Sequence, residues 1–193
     1  MAYASQAGTV FVSNERGTGD TAVDGRGVRR IGDVNLGEDI GNSQYDPSAG
    51  ALYVAVGGNN QLVTIDPARM AILDREDLEG CSGAHGVQVD APPRHRVFVA
   101  CENNDSMVVF DLTAKRVSQT FRVGKGPDVQ ALDAASHQLY VAAESGELAV
   151  FDTTGDSVTK VGQGNAGPDA HSDAVDPVSH VVYLLRPFWA LFC

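Results

Sequence analysis

Apolar residues along this chain come in short runs of valine, isoleucine, leucine, tyrosine and phenylalanine, each broken after a few positions by polar residues. The breaks read Asp-Pro, Ser-Gly, Gly-Gly-Asn-Asn or Asn-Asn-Asp, which are tight-turn sequences. No stretch keeps the three-to-four-residue spacing of an amphipathic helix over a useful length. The pattern predicts short strands joined by tight turns, and hence an all-β chain.

The runs also repeat. Segments NSQYDPSAGALYVAV from Asn42, GVQVDAPPRHRVFVAC from Gly86, VQALDAASHQLYVAA from Val129 and SDAVDPVSHVVYLL from Ser172 fall into register. Their shared aspartates, Asp46, Asp90, Asp133 and Asp176, stand at steps of 44, 43 and 43 residues. A second run follows three of them (QLVTID, SMVVFD, ELAVFD), ending at Asp66, Asp111 and Asp152, and a third run then leads to a glycine-rich break. Four antiparallel strands in ~40–45 residues is the unit of a β-propeller blade. The strands of a blade are named A to D, with A innermost.

On that template the chain opens inside a blade, with Val10 to Asn14 as strand B, Thr21 to Asp24 as C and Val28 to Leu36 as D. Whole blades are expected at about 38–80, 84–124 and 127–163, and a fifth runs from His171 through a strand B at Val181 to Leu185. About four to five blades in 193 residues make one propeller domain. Either the C-terminal strand A joins the N-terminal strands in a small closed ring, or the chain is an arc of a larger ring; the arc is favoured. Open blade edges then invite self-association. Residues 186–193, within LLRPFWALFC, abandon the repeat, and this aberrant tail is either a docking strand or read-through of a broken frame.

VFVSNE at Val10, LYVAV at Leu52, VFVACEN at Val97 and LYVAAESG at Leu139 resemble the strand that names the YVTN family of β-propeller repeats. The signatures AHGVQVD and GPDVQALD look like its YncE-like branch, and the similarity runs from about residue 9 to residue 183. The resemblance implies a seven-bladed ring, of which this chain would be a truncated member. It also implies a bacterial protein exported to the periplasm or beyond, often described as DNA-binding or surface-layer-like, with no catalytic residues to carry over.

Charge changes the picture of partners. With 25 acidic against 14 basic side chains the net charge is −11, which repels phosphate, so nucleic acid is disfavoured. No window approaches the ~20 apolar residues that a bilayer span needs. No signal peptide is visible at the N-terminus, so a cytoplasmic location stays open beside the exported one.

The register sorts the five histidines. His95, His137 and His180 fall in A–B turns where another blade has Gly50, and read as turn residues tolerant of unusual backbone angles. His85 and His171 lie five residues before their blade aspartates, at the start of strand A. The same position in the blade between them is Asp128, and in the preceding blade Gly41, beside Asn42. Innermost strands line the central channel, so His85, Asp128, His171 and Asn42 are expected on one rim, with Glu102 and Glu144 on the same face. His85, Asp128 and His171 could hold a divalent metal such as zinc, nickel or calcium, or the rim could simply be solvated.

Cys81 and Cys101 are brought to one face by antiparallel strands A and B, either as a disulfide or as two buried thiols. No nucleophile has an oriented base beside it. The first functional reading is a non-catalytic module that binds a protein or small-molecule ligand through its top face and channel. The second is a metal-dependent hydrolase of the lactonase type, using the rim residues. A DNA-binding propeller is a third and weaker one.

Overall fold

In the computed structural model the repeat folds into four four-stranded antiparallel sheets and one two-stranded sheet, an all-β propeller arrangement. Residues 1–14, 17–37 and 39–185 are described. The expected tail, residues 186–193, lies outside them.

Blade 1 comprises β1 (Ala2–Ala4), β2 (Thr9–Ser13), β3 (Gly19–Asp24) and β4 (Arg29–Asn35). Blade 2 holds β5 (Ile40–Asp46), β6 (Ala51–Val56), β7 (Gln61–Asp66) and β8 (Ala71–Asp77). Blade 3 holds β9 (Ala84–Asp90), β10 (Arg96–Cys101), β11 (Ser106–Asp111) and β12 (Arg116–Arg122). Blade 4 holds β13 (Pro127–Asp133), β14 (Gln138–Ala143), β15 (Glu147–Asp152) and β16 (Thr159–Asn165), and β17 (Ser172–Val175) pairs with β18 (Val182–Leu185) in blade 5.

One expectation is corrected. The chain does not open inside a blade, because Ala2–Ala4 pairs with β2, Ala2 opposite Phe11 and Ala4 opposite Thr9, and forms the missing strand A. Three residues without the blade aspartate are too little to register as a repeat, yet Ala4 and Phe11 are fully buried. Among the described residues no strand of blade 5 pairs with blade 1, so the small ring closed by strand exchange is not formed. Strands β1, β5, β9, β13 and β17 instead stand side by side in chain order.

The turns follow from the repeated aspartates. Asp46 Oδ1 accepts from the N–H groups of Ser48 (2.8 Å) and Ala49 (3.3 Å), and Asp133 and Asp176 hold their A–B turns in the same way. Asp66, Asp111 and Asp152 cap the C–D turns. Asp90 is different because the residues two and three places on are Pro92 and Pro93, which have no N–H to donate. Its carboxylate instead accepts from Arg96 Nε at 2.9 Å.

His95, His137 and His180 occupy the left-handed region (φ 47°, 57° and 58°), as Gly50 does (φ 63°). The His95 and His137 carbonyls then accept the N–H groups of Leu112 and Thr153 in the neighbouring C–D turns.

The core lies between blades, in layers. Phe11, Ile40, Val54 and Ile65 fill the space between blades 1 and 2, and Tyr53, Leu62, Val97, Val99 and Phe110 the next. Phe98, Met107, Leu139, Val141 and Phe151 fill the space between blades 3 and 4. This burial of large apolar side chains is the main favourable term holding successive blades together.

Candidate functional site at the channel mouth

Strand A in blades 2, 3 and 4 pairs regularly with strand B and then slips by one residue near the rim. Val99 faces Val87 but Cys101 faces Ala84; Val141 faces Gln130 but Ala143 faces Pro127; Val54 faces Ser43 but Val56 faces Ile40. The extra residue is a β-bulge at His85–Gly86, Asp128–Val129 and Gly41–Asn42. Bulges bend a strand and re-aim its side chains. The rim positions expected from the register are therefore the bulged ones.

The bulges bring neighbouring inner strands very close. A Cβ on Gly41 would lie 2.3 Å from the His85 carbonyl oxygen, and one on Gly86 would lie 2.1 Å from that of Asp128. Val129 N–H reaches the His171 carbonyl at 3.3 Å. Side chains of adjacent blades can meet here because the backbones carrying them nearly touch.

His85 Nδ1 lies 2.8 Å from Asp128 Oδ1, and His171 Nε2 lies 3.8 Å from Asp128 Oδ2. His171 Nδ1 faces Asp169 Oδ1 at 2.9 Å and the Asp169 carbonyl at 3.0 Å. Asp128 thus sits between two imidazoles from the blades on either side.

Beneath it Asp173 on β17 has both carboxylate oxygens buried without a hydrogen-bond partner. Burial, with the Asp128 charge adding to it, pushes its pKa up to about 8, so it is largely protonated at neutral pH.

Between these bulges and the B–C turns opens a cleft of about 660 Å³. Four carboxylates, Asp39, Glu102, Asp128 and Glu144, line it together with His85, and no lysine or arginine does so among the described residues. Gly41, Gly57, Gly58 and Gly83 form much of the remaining wall and leave room by lacking side chains. Glu102 opens a short 3-10 turn after β10, and Glu144 follows β14 directly. Both are held by backbone bonds, Glu102 N–H to Gly83 at 2.9 Å and Glu144 N–H to Gly126 at 2.8 Å.

Of the expected rim residues, His85, Asp128, Glu102 and Glu144 share this cleft, whereas Asn42 and His171 are not among its lining. Gly41, which the register sets level with His85, lines the cleft, and Asn42 beside it in the same bulge does not. Asp39, Asp169 and Asp173 were not expected; Asp173 could have been found as a carboxylate standing where the other blades carry Ser43, Val87 and Gln130.

Among the described residues no three His, Cys, Asp or Glu side chains are grouped so that they could hold a metal ion. His85 and Asp128 face each other, and His171 turns its Nδ1 to Asp169. In the B–C turn of blade 3, Asn104 accepts from Ser82 N–H and donates to the Gly80 carbonyl, and Asp105 Oδ1 accepts from Gly126 N–H.

Cys81 and Cys101 are joined as a disulfide, with Cα atoms 5.3 Å apart.

No family model matches this chain, and no curated protein does. Among solved structures it is similar to hydrazine synthase of Kuenenia stuttgartiensis, at 19% identity and a TM-score of 0.68, over 86% of this chain and 47% of that one. It is also similar to a chain of the mitotic checkpoint complex, at 9% identity and a TM-score of 0.76, over 92% of this chain and 56% of that one. The chain therefore spans about half the length of the solved chains it matches. At these identities the likeness shows the fold, a β-propeller.

Proposed function

We propose that this chain is a non-catalytic binding module of the YncE-like branch of YVTN propellers, which takes a positively charged group into the cleft at its channel mouth. The observation that carries the reading is that cleft: about 660 Å³, four carboxylates around it, and no lysine or arginine among its described lining residues. A concave site with convergent polar groups is the usual form of a ligand site, and clustered carboxylates attract cations and repel phosphate. The ligand is either a small organic cation or a basic side chain presented by a protein. The mitotic checkpoint complex, a protein assembly, is one setting in which a fold of this kind occurs. An oxidising compartment, periplasmic or extracellular, belongs to the same proposal and is supported by the Cys81–Cys101 disulfide.

Calorimetric titration separates the alternatives. Putrescine, a blocked Gly-Lys-Gly tripeptide, inorganic phosphate and a short DNA duplex are titrated at physiological salt. Binding of either cation, weakened about tenfold by Glu102→Gln with Glu144→Gln, is the expected result. Retention of DNA or phosphate in preference to both cations would overturn the proposal.

A further inference from the structure

Among the described residues, blade 3 alone fastens its rim with a covalent bond. The corresponding positions of blade 4 are Gly124 and Ala143. The bond stands at the base of the cleft wall. Ser82, Gly83, Ala84 and His85 follow Cys81 directly, Glu102 and Asn103 follow Cys101, and all six line the cleft. It also pins the outer side of the bulge that aims His85, since Cys101 pairs with Ala84 just past the slip. Otherwise this wall is held by a few hydrogen bonds, among them Glu102 N–H to Gly83 (2.9 Å), Asn103 N–H to Ser82 (3.0 Å) and Gly83 N–H to Asn60 Oδ1 (2.7 Å). A bulge interrupts the ladder, so a wall hung on it opens more easily than the strands behind it.

We infer that the Cys81–Cys101 disulfide is a redox-operated latch on the cleft. Oxidised, it holds the His85 bulge in its binding geometry. Reduced by an external dithiol, it frees the wall and weakens capture of a positively charged group. The inference rests on the reading of the cleft as a cation site.

In the reduction, a thiolate of the dithiol attacks Sγ of Cys81, the less buried of the two residues at 9% exposure against 0% for Cys101. The S–S bond breaks and a mixed disulfide forms. The second thiol of the reagent then displaces Cys81, so that both cysteines end as thiols with one proton each and the dithiol leaves as its own disulfide. Blade 4 forms its sheet with glycine and alanine at these places, so blade 3 is expected to keep its strands when the bond is cut.

The test compares the full chain in three states: oxidised, reduced with dithiothreitol, and carrying Cys81→Ala with Cys101→Ala. Amide hydrogen exchange is read at Gly83, Glu102 and Asn103 on the wall, and at Val54 and Val141 in the core. The blocked Gly-Lys-Gly tripeptide is titrated in parallel. Loss of the bond is expected to speed exchange on the wall about tenfold with the core unchanged, and to weaken the tripeptide about fivefold. Equal wall exchange in all three states would overturn the latch, and so would a rise at Val54 and Val141 as large as on the wall, because the bond would then be a general staple. A tripeptide that binds no state overturns the cation reading and the affinity claim with it, while the exchange pattern separately decides whether the bond governs the wall.

Discussion

His85 Nδ1 stands 2.8 Å from Asp128 Oδ1, so one imidazole–carboxylate contact joins blades 3 and 4 at the channel mouth. Both side chains are largely buried, at 18% and 19% exposure, and desolvation offsets most of what such a pair gains. A double-mutant cycle with His85→Ala and Asp128→Ala should therefore give an unfolding coupling under ~1 kcal/mol. Asp128→Asn should instead weaken binding of the lysine tripeptide about tenfold, since it removes a negative charge from the cleft. A coupling of several kcal/mol with unaltered binding would make the pair a structural clasp.

Arg96 is a different kind of contact. It is 4% exposed. Its Nε donates to Asp90, and its two terminal nitrogens donate to the carbonyls of Thr153 (2.6 Å), Gly155 (3.0 Å) and Asp156 (3.2 Å) in the C–D turn of blade 4. Its guanidinium carbon also lies 5.5 Å from the Phe98 ring centroid. Arg96→Ala leaves a buried carboxylate and several carbonyls without their donor, and should cost about 3–5 kcal/mol in urea unfolding. Arg96→Lys keeps the charge but not the planar fork and should recover only part of that. A loss below ~1 kcal/mol for the alanine variant would show that the clamp is dispensable.

These two sites differ in how far they could be read from residues alone. The propeller was legible because each blade aspartate closes a turn, so Asp46, Asp133 and Asp176 recur for a local chemical reason. The turn histidines were legible because one neighbour in register is Gly50. The convergence of His85 on Asp128 follows from the same register, but its closeness depends on bulges that appear only when two strands are compared pair by pair.

Strand β1 was hidden by its brevity. The Arg96 clamp had a visible signal in Pro92-Pro93, which denies Asp90 its usual turn donors, although nothing local pointed to the turn at Thr153, 57 residues away. Asp39 lies in a D-to-A connection, where the repeat keeps no register to read.

Asp173 makes stability depend on pH in a defined sense. Its native pKa of about 8 lies above the ordinary 3.8 because burial disfavours the charged carboxylate. The native state therefore holds a proton that the unfolded chain releases, and stability falls as pH rises between those two values. Asp173→Asn mimics the protonated group at every pH. It should match the parent below about pH 4 and exceed it by on the order of 5 kcal/mol near pH 8. Urea unfolding from pH 4 to pH 9 checks this, and an offset that stays constant with pH would place Asp173 in water.

The rim geometry has its most direct test in glycine. Gly86 is at the bulge of β9, and its missing Cβ would lie 2.1 Å from the Asp128 carbonyl oxygen and 3.1 Å from Ala100 Cβ. The first of these is backbone and cannot swing aside, so Gly86→Ala must push β9 and β13 apart. Overpacking of a well-packed site costs about 1–3 kcal/mol, and a backbone clash belongs at the upper end. The same displacement carries Asp128 away from His85, so binding of the lysine tripeptide should fall together with stability. Gly162, on the outer strand β16, is the control: a Cβ there meets nothing within 4 Å, and its backbone is outside the left-handed region. Gly162→Ala should be neutral or stabilise by about 0.4–1 kcal/mol through the unfolded chain. If Gly86→Ala proves as harmless as Gly162→Ala, the inner strands do not meet as described, and the convergence of His85, Asp128 and His171 falls with that contact.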